Sequence, residues 1–168
     1  MKYTLLIVVL STVFSYGQNC SLISGTRDKK NGTETLGGIT NSKDFYSLLI
    51  RKTINYVDKS IGPEYTISLI TASRVLLSDS VLTTKGTFDL LLSDSSSLTV
   101  KGVTYTNNPL GQCCSLGFHA VIEESQVKLL TNNPIVTLKV NEVGLTTSFA
   151  PKKQKQQVTI CDCLLNKH

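Results

Sequence analysis

The residues best suited to chemistry in this chain are five cysteines and two histidines. Cys113 and Cys114 stand side by side in "GQCCSLGFH" (Gly111 to His119), shortly before His119, and Cys161 and Cys163 close the chain in "CDC". Cys20 lies near the other end. Thiols in this pattern have four uses: metal ligation, redox exchange, a disulfide framework, or packing as small apolar side chains. A structural zinc site takes four Cys or His ligands, usually in pairs with two or more residues between them. Here one pair is adjacent and the other has a single spacer. Adjacent residues on a strand point to opposite faces. Positions two apart on a helix lie about 200° apart around its axis. His119 and His168 could add ligands only with a chelating pair to join, so no metal and no cofactor is expected. Redox exchange of the thioredoxin kind would need C-x-x-C in βαβ surroundings, and the sequence has neither.

A disulfide framework suits the pattern better, and all five cysteines are candidates for it. The expected clasp joins Cys113 or Cys114 to Cys161 or Cys163. It closes a loop of about fifty residues and stabilises by about 2–4 kcal/mol through the unfolded state. Cys20 is then the odd thiol, or the partner of the second loop thiol. Connectivity is not readable from sequence, and buried unpaired thiols remain the plain alternative.

Other polar groups point away from catalysis. His119 alternates with Phe118 and Ala120 in an apolar stretch, and it is the best candidate for an unfamiliar active site. Glu123 and Glu124 are adjacent, so they diverge on a helix and make a poor acid–base pair. "SDSSS" (Ser93 to Ser97) has no neighbouring histidine to activate a serine. No nucleophile-elbow, zinc-protease, phosphate-loop or dinucleotide motif occurs. The reading is a non-enzymatic domain with a binding or envelope-associated structural role. The alternative from another class is a thiol-based metal or redox protein using Cys113, Cys114, Cys161 and Cys163.

The redox argument depends on the compartment. "MKYTLLIVVLSTVFSYGQ" has one lysine, Lys2, then an apolar stretch beginning at Leu5, then small residues Ser15 and Gly17 before a cut at Gln18. That order predicts a signal peptide over residues 1–17. Its apolar run of about a dozen residues is too short for a permanent span, and no later stretch would serve. Export to the periplasm or outside the cell makes paired sulfurs the default. Lys and Arg outnumber Asp and Glu 17 to 12, but the lysines are scattered apart from "PKKQKQQ" (Pro151 to Gln157). Such a run reads as a solvated face, and no aromatic-rich basic stripe suggests nucleic acid. An anionic partner is the minor reading; the partner is unknown, and a protein or envelope partner is the expectation.

The elements that must position these residues read as follows. Residues 18–44 are polar and rich in Gly, Thr, Asn and Ser, which predicts a flexible arm or short edge structure with turns at Asn31-Gly32 and Gly37-Gly38. A single β-rich domain follows over 45–168. "FYSLLIRKTINYV" reads as a strand. "EYTISLITAS" alternates with period two, with Tyr65, Ile67 and Leu69 on one face. "RVLLSDSVL" follows, with a turn at Lys85-Gly86. "TFDLLLSDSSSLTVKGVTY" gives two strands joined at Ser93–Ser97, and "FHAVI" gives another. "EESQVKLLTNN" switches to helical spacing, with Val127 and Leu130 on one side and acid in the first turn. Pro134 stops it. "PIVTLKVNEVGLTTSFA" is a strand pair or one long strand, with Val136, Leu138 and Val140 expected inside. The tail, Lys152 to Leu165, has Val158, Cys161 and Leu165 at helical spacing. The fold class is α+β, mostly antiparallel, with one short helix and a C-terminal helix packed on the sheet.

This order, "TTKGTFDLLLSDSSSLTV", then "FHAVIEESQVKLLTNNPIVTLKV", then a Lys-rich amphipathic tail, resembles a layout of small exported bacterial proteins of unknown function, over about residues 80 to 166. The resemblance implies export and an α+β domain and carries no catalytic residues. "DSSS" stands where that layout has an Asp-Gly turn.

Overall fold

The structure, a computed structural model, describes residues 20–44, 46–71, 81–107, 115–141 and 144–167. Residues 1–19 (which include the expected signal peptide), Phe45, most of "RVLLSDSVL", Cys113, Cys114 and His168 lie outside the described residues. Among the described residues nine strands form one antiparallel sheet. They are β1 (Ile23–Asp28), β2 (Thr33–Asn41), β3 (Tyr46–Asn55), β4 (Glu64–Thr71), β5 (Val81–Leu92), β6 (Ser97–Asn107), β7 (Ser115–Ile122), β8 (Ile135–Val140) and β9 (Leu145–Ser148). The sheet order is β1-β2-β3-β4-β7-β6-β5-β8-β9. Two helices, α1 (Glu124–Asn132) and α2 (Pro151–Asn166), complete the fold, and α2 packs on the curled sheet. No helix among the described residues is long and apolar enough to cross a membrane.

Period-two alternation builds the inner face. Leu48, Leu69 and Phe118 lie side by side across β3, β4 and β7, and Ile50, Ile67 and Ala120 form the next row. All six are buried. Beyond them, β5 and β6 are long strands whose Gly86 and Gly102 face each other. A Cβ on Gly102 would strike the His119 carbonyl and the Ala120 and Phe118 side chains. Glycine there lets the strands approach closely, so that the Phe88 and Phe118 rings pack together inside. The expected Lys85-Gly86 turn is therefore mid-strand. The far edge of the sheet curls back towards the β2–β3 turn. The Lys43 N–H donates to the Ser148 carbonyl (3.0 Å), and Thr147 Oγ1 donates to the Asp44 carboxylate (2.7 Å).

The helix α2 fills the concavity. Pro151 occupies its first turn, where a missing N–H costs nothing. Gln157, Ile160, Cys161 and Leu164 form its buried stripe, at i, i+3, i+4 and i+7. The expected stripe of Val158, Cys161 and Leu165 is rotated, leaving Val158 and Leu165 half-buried. Gly38 makes room for the helix, because a Cβ there would lie 2.6 Å from Ile160 Cγ1. The short helix α1 begins with a capping box between Glu123 and Gln126 and buries Val127 and Leu130.

Three expectations are corrected. Of the two readings of residues 20–44, the flexible arm gives way to the edge structure: after a 3₁₀ turn at Cys20–Leu22 they form the β1–β2 hairpin. Their polar composition belongs to an edge strand, since only Ile23 of β1 is buried. Asn31-Gly32 is the hairpin turn, whereas Gly37-Gly38 sits inside β2 beneath α2. On β8 the fully buried residues are Ile135, Leu138 and Val140, and Val136 is only half-buried. An irregularity in register at Leu91–Leu92 of the neighbouring β5 shifts the inward phase by one residue at that end.

Candidate functional site

The first chemical feature is the end of α2. Cys163 is bonded to Cys20, 143 positions away, across the base of the β1–β2 hairpin. The expected clasp from Cys113 or Cys114 therefore does not form at Cys163. Cys20 is the partner, and it is held in place by the 3₁₀ turn against α2. A hairpin hidden in a polar stretch is what brings Cys20 there. Cys161 is a free thiol, completely buried on the core side of α2. Burial, with help from the Asp162 charge, pushes this thiol up to about 12, so it stays protonated and packs as a small apolar group. The two cysteines of "CDC" have separate jobs because one intervening residue turns them apart on the helix.

The second feature is Lys52. It belongs to the inward phase of β3, after Leu48 and Ile50, and is 4% exposed. Its Nζ donates to the carbonyl of Lys167, just past the last turn of α2, at 2.8 Å. A cation at this end is favoured by the helix dipole and satisfies a carbonyl that the helix leaves open. The Tyr65 ring lies 5.8 Å from the ammonium. Burial pulls the Lys52 ammonium below the usual lysine range, and the Glu124 charge partly offsets this. Tyr65 is raised, first by burial and then by Glu124. The signal for Lys52 was present in "LLIRKTI", as a lysine in phase with buried leucine and isoleucine.

Next to Lys52 the concave face continues beyond the end of α2. The next row outward runs Arg27, Glu34 and Ile54 across β1, β2 and β3. With the β3–β4 turn it lines a cleft of about 460 Å³, which Lys52, Tyr56 and Lys59 also reach. Arg27 is committed within it. Its guanidinium pairs with Glu34 at 3.0 Å and lies over the Tyr56 ring at 4.5 Å.

The other sequence candidates have structural duties. His119 points to the outer face, opposite Ser68 in register, with Nδ1 2.9 Å from Ser68 Oγ. Leu49 and Val103 flank this pair on the neighbouring strands, which makes it a cross-strand contact among apolar neighbours. Glu123 caps α1: its N–H donates to Gln126 Oε1 at 2.8 Å. Glu124 pairs with Lys128 at 2.7 Å, and that bond holds its carboxyl below the usual range. In "SDSSS", the Asp94 carboxylate accepts the Ser96 hydroxyl and N–H, which lowers its pKa. Among the described residues no three of His, Cys, Asp and Glu converge to hold a metal ion.

No family model, curated protein or solved structure matches this chain.

Proposed function

We propose that this chain is an exported domain that binds a partner, or supports an envelope structure, without catalysing a reaction. The single observation that carries the reading is the Cys20–Cys163 bond. A disulfide joining the first hairpin to the last helix suits a compartment where thiols stay oxidised. The expected signal peptide over residues 1–17 points the same way. The second support is how the reactive side chains are used. Glu123 caps a helix, Glu124 pairs with a lysine, Asp94 closes a turn, and Cys161 packs in the core.

Expression of the full sequence, followed by intact mass under oxidising and reducing conditions, tests the export reading. The expected product starts at Gln18 and carries a bond that alkylation maps to Cys20 and Cys163. Recovery of an intact Met1 end with every thiol reduced would overturn it. Turnover in a broad hydrolase or oxidoreductase panel, abolished by His119→Ala, would overturn the non-enzymatic part.

A further inference from the structure

The cleft beyond the end of α2 has properties that the disulfide and the core packing do not account for. At its inner wall sits Lys52, a residue 4% exposed overall, whose partly buried ammonium bonds the Lys167 carbonyl. Among the described residues, no carboxylate lies within ion-pair distance of Lys52 or of Lys59 at the rim; the ion pairs are Arg27–Glu34 and Glu124–Lys128. A partly desolvated ammonium whose opposing charge, Glu124, acts only from beyond ion-pair distance is costly and is usually compensated by a partner. The Lys167 carbonyl takes one of the three Lys52 donors. Ile54, Ile61 and Pro63 give the cleft an apolar patch, beside a wall made by Asn55, Tyr56 and the Arg27–Glu34 pair, and Ile61 is 55% exposed. Cation on one side and aliphatic surface on the other is the lining expected of a pocket for an amphipathic anion, at the mouth of a curled sheet.

We infer that this cleft binds a small organic anion, its carboxylate or phosphate head between Lys52 and Lys59 and its aliphatic body against Ile54, Ile61 and Pro63. The inference deepens the binding reading above by giving it a place and a ligand class. Arg27 does not carry the head group, because Glu34 and Tyr56 already hold it. It fixes the β1 wall of the cleft.

The test is a titration of the oxidised, isotopically labelled protein, followed by amide shifts, with octanoate, octyl phosphate and neutral octanol. The expected result is saturable shifts confined to the amides of Ile54, Asn55, Tyr56 and Ile61 with at least one anion, and binding of octanol at least tenfold weaker. Octanoate and octyl phosphate then separate carboxylate from phosphate recognition. Lys52→Met should weaken the anion by about tenfold or more, in line with loss of a charged hydrogen bond, and leave octanol unchanged. Because Lys52 is buried, the exposed-rim variant Lys59→Gln provides a second reading that folding defects do not confound, with an expected loss of about threefold. No shifts at these amides with either anion, octanol binding as tightly as the anions, or unchanged affinity in Lys59→Gln would each overturn the inference. A null result here, with the Gln18 start and the Cys20–Cys163 bond intact by mass, would remove the site and leave the export reading standing.

Discussion

The two ends of α2 are fastened by different chemistry. At the N-terminal half the attachments are neutral. Gln154 Nε2 donates to the Phe149 carbonyl at 2.8 Å, and the buried Gln157 Oε1 accepts the Ile135 N–H at 2.8 Å. At the C-terminal end they are covalent and charged: Cys163 to Cys20, and Lys52 to the Lys167 carbonyl. The first end lies against β8, a short sequence distance away, where closing the loop is cheap in entropy. The second end lies against strands from the opposite end of the chain, where closing the loop is dear. The stronger fastening sits where the unfolded chain would otherwise have most freedom. That is also the end where the concave face is left open.

The comparison can be broken most forcefully at the disulfide. Cys20→Ser with Cys163→Ser should lower unfolding free energy by about 2–5 kcal/mol, read by denaturant titration with a raised m-value, because the unlinked denatured chain exposes more surface. A loss below about 0.5 kcal/mol would mean that the unfolded ensemble is already compact between these residues. In the wild-type protein Cys161 should resist a thiol reagent until the protein unfolds, since its thiol is held near 12. Prompt labelling would show that this side of α2 opens without global unfolding.

At the opposite end, Gln157→Leu should cost about 1 kcal/mol. The Ile135 N–H loses its acceptor, a loss of about 1–3 kcal/mol. Leucine also removes Gln157 Nε2, a buried donor without a partner among the described residues, and that offsets part of the loss.

Lys52→Met should change stability at pH 7 by less than about 1 kcal/mol, because loss of the cap is offset by relief of a buried charge. The pH dependence sharpens this. The folded Lys52 pKa is below its unfolded value of 10.5, so between the two the unfolded chain binds more protons and stability rises with pH. The wild type should therefore gain on Lys52→Met as pH rises from neutral towards 10.5. A gap that narrows in the other direction would show that the Lys167 carbonyl and Glu124 outweigh desolvation. The smallest effect belongs to Lys128→Gln beside this end. Its exposed i,i+4 pair with Glu124 should contribute about 0.3–0.5 kcal/mol, lost in salt.

What could be read from the sequence divides along the same line. Local patterns were legible: the alternation of Tyr65, Ile67 and Leu69, the α1 stretch stopped by Pro134, and the C-terminal helix on the sheet. Ser93–Ser97 is the expected turn, with Ser95 taking the left-handed φ of 68° that a glycine would adopt without cost. Non-local relations were not. The polar stretch "SGTRDKKNGTETLGGITN" left a flexible arm and short edge structure both open, since an edge strand needs few apolar residues. Gly86 and Gly38 read as turns because glycine serves turns and close packing alike. The inward phase of α2 depended on Gly38, more than a hundred residues away. The pairing of Cys163 followed from the hairpin that carries Cys20, and the buried Lys52 was in plain view in the inward phase of its strand.

The Cys20–Cys163 bond also determines how the domain would bear a load. Tension applied through segments outside these two residues passes from sulfur to sulfur and bypasses every strand between them. The enclosed chain, on the order of 480 Å if drawn out straight, cannot be paid out while the bond holds. The oxidised domain would act under tension as a nearly inextensible link, and reduction would turn it into a long tether.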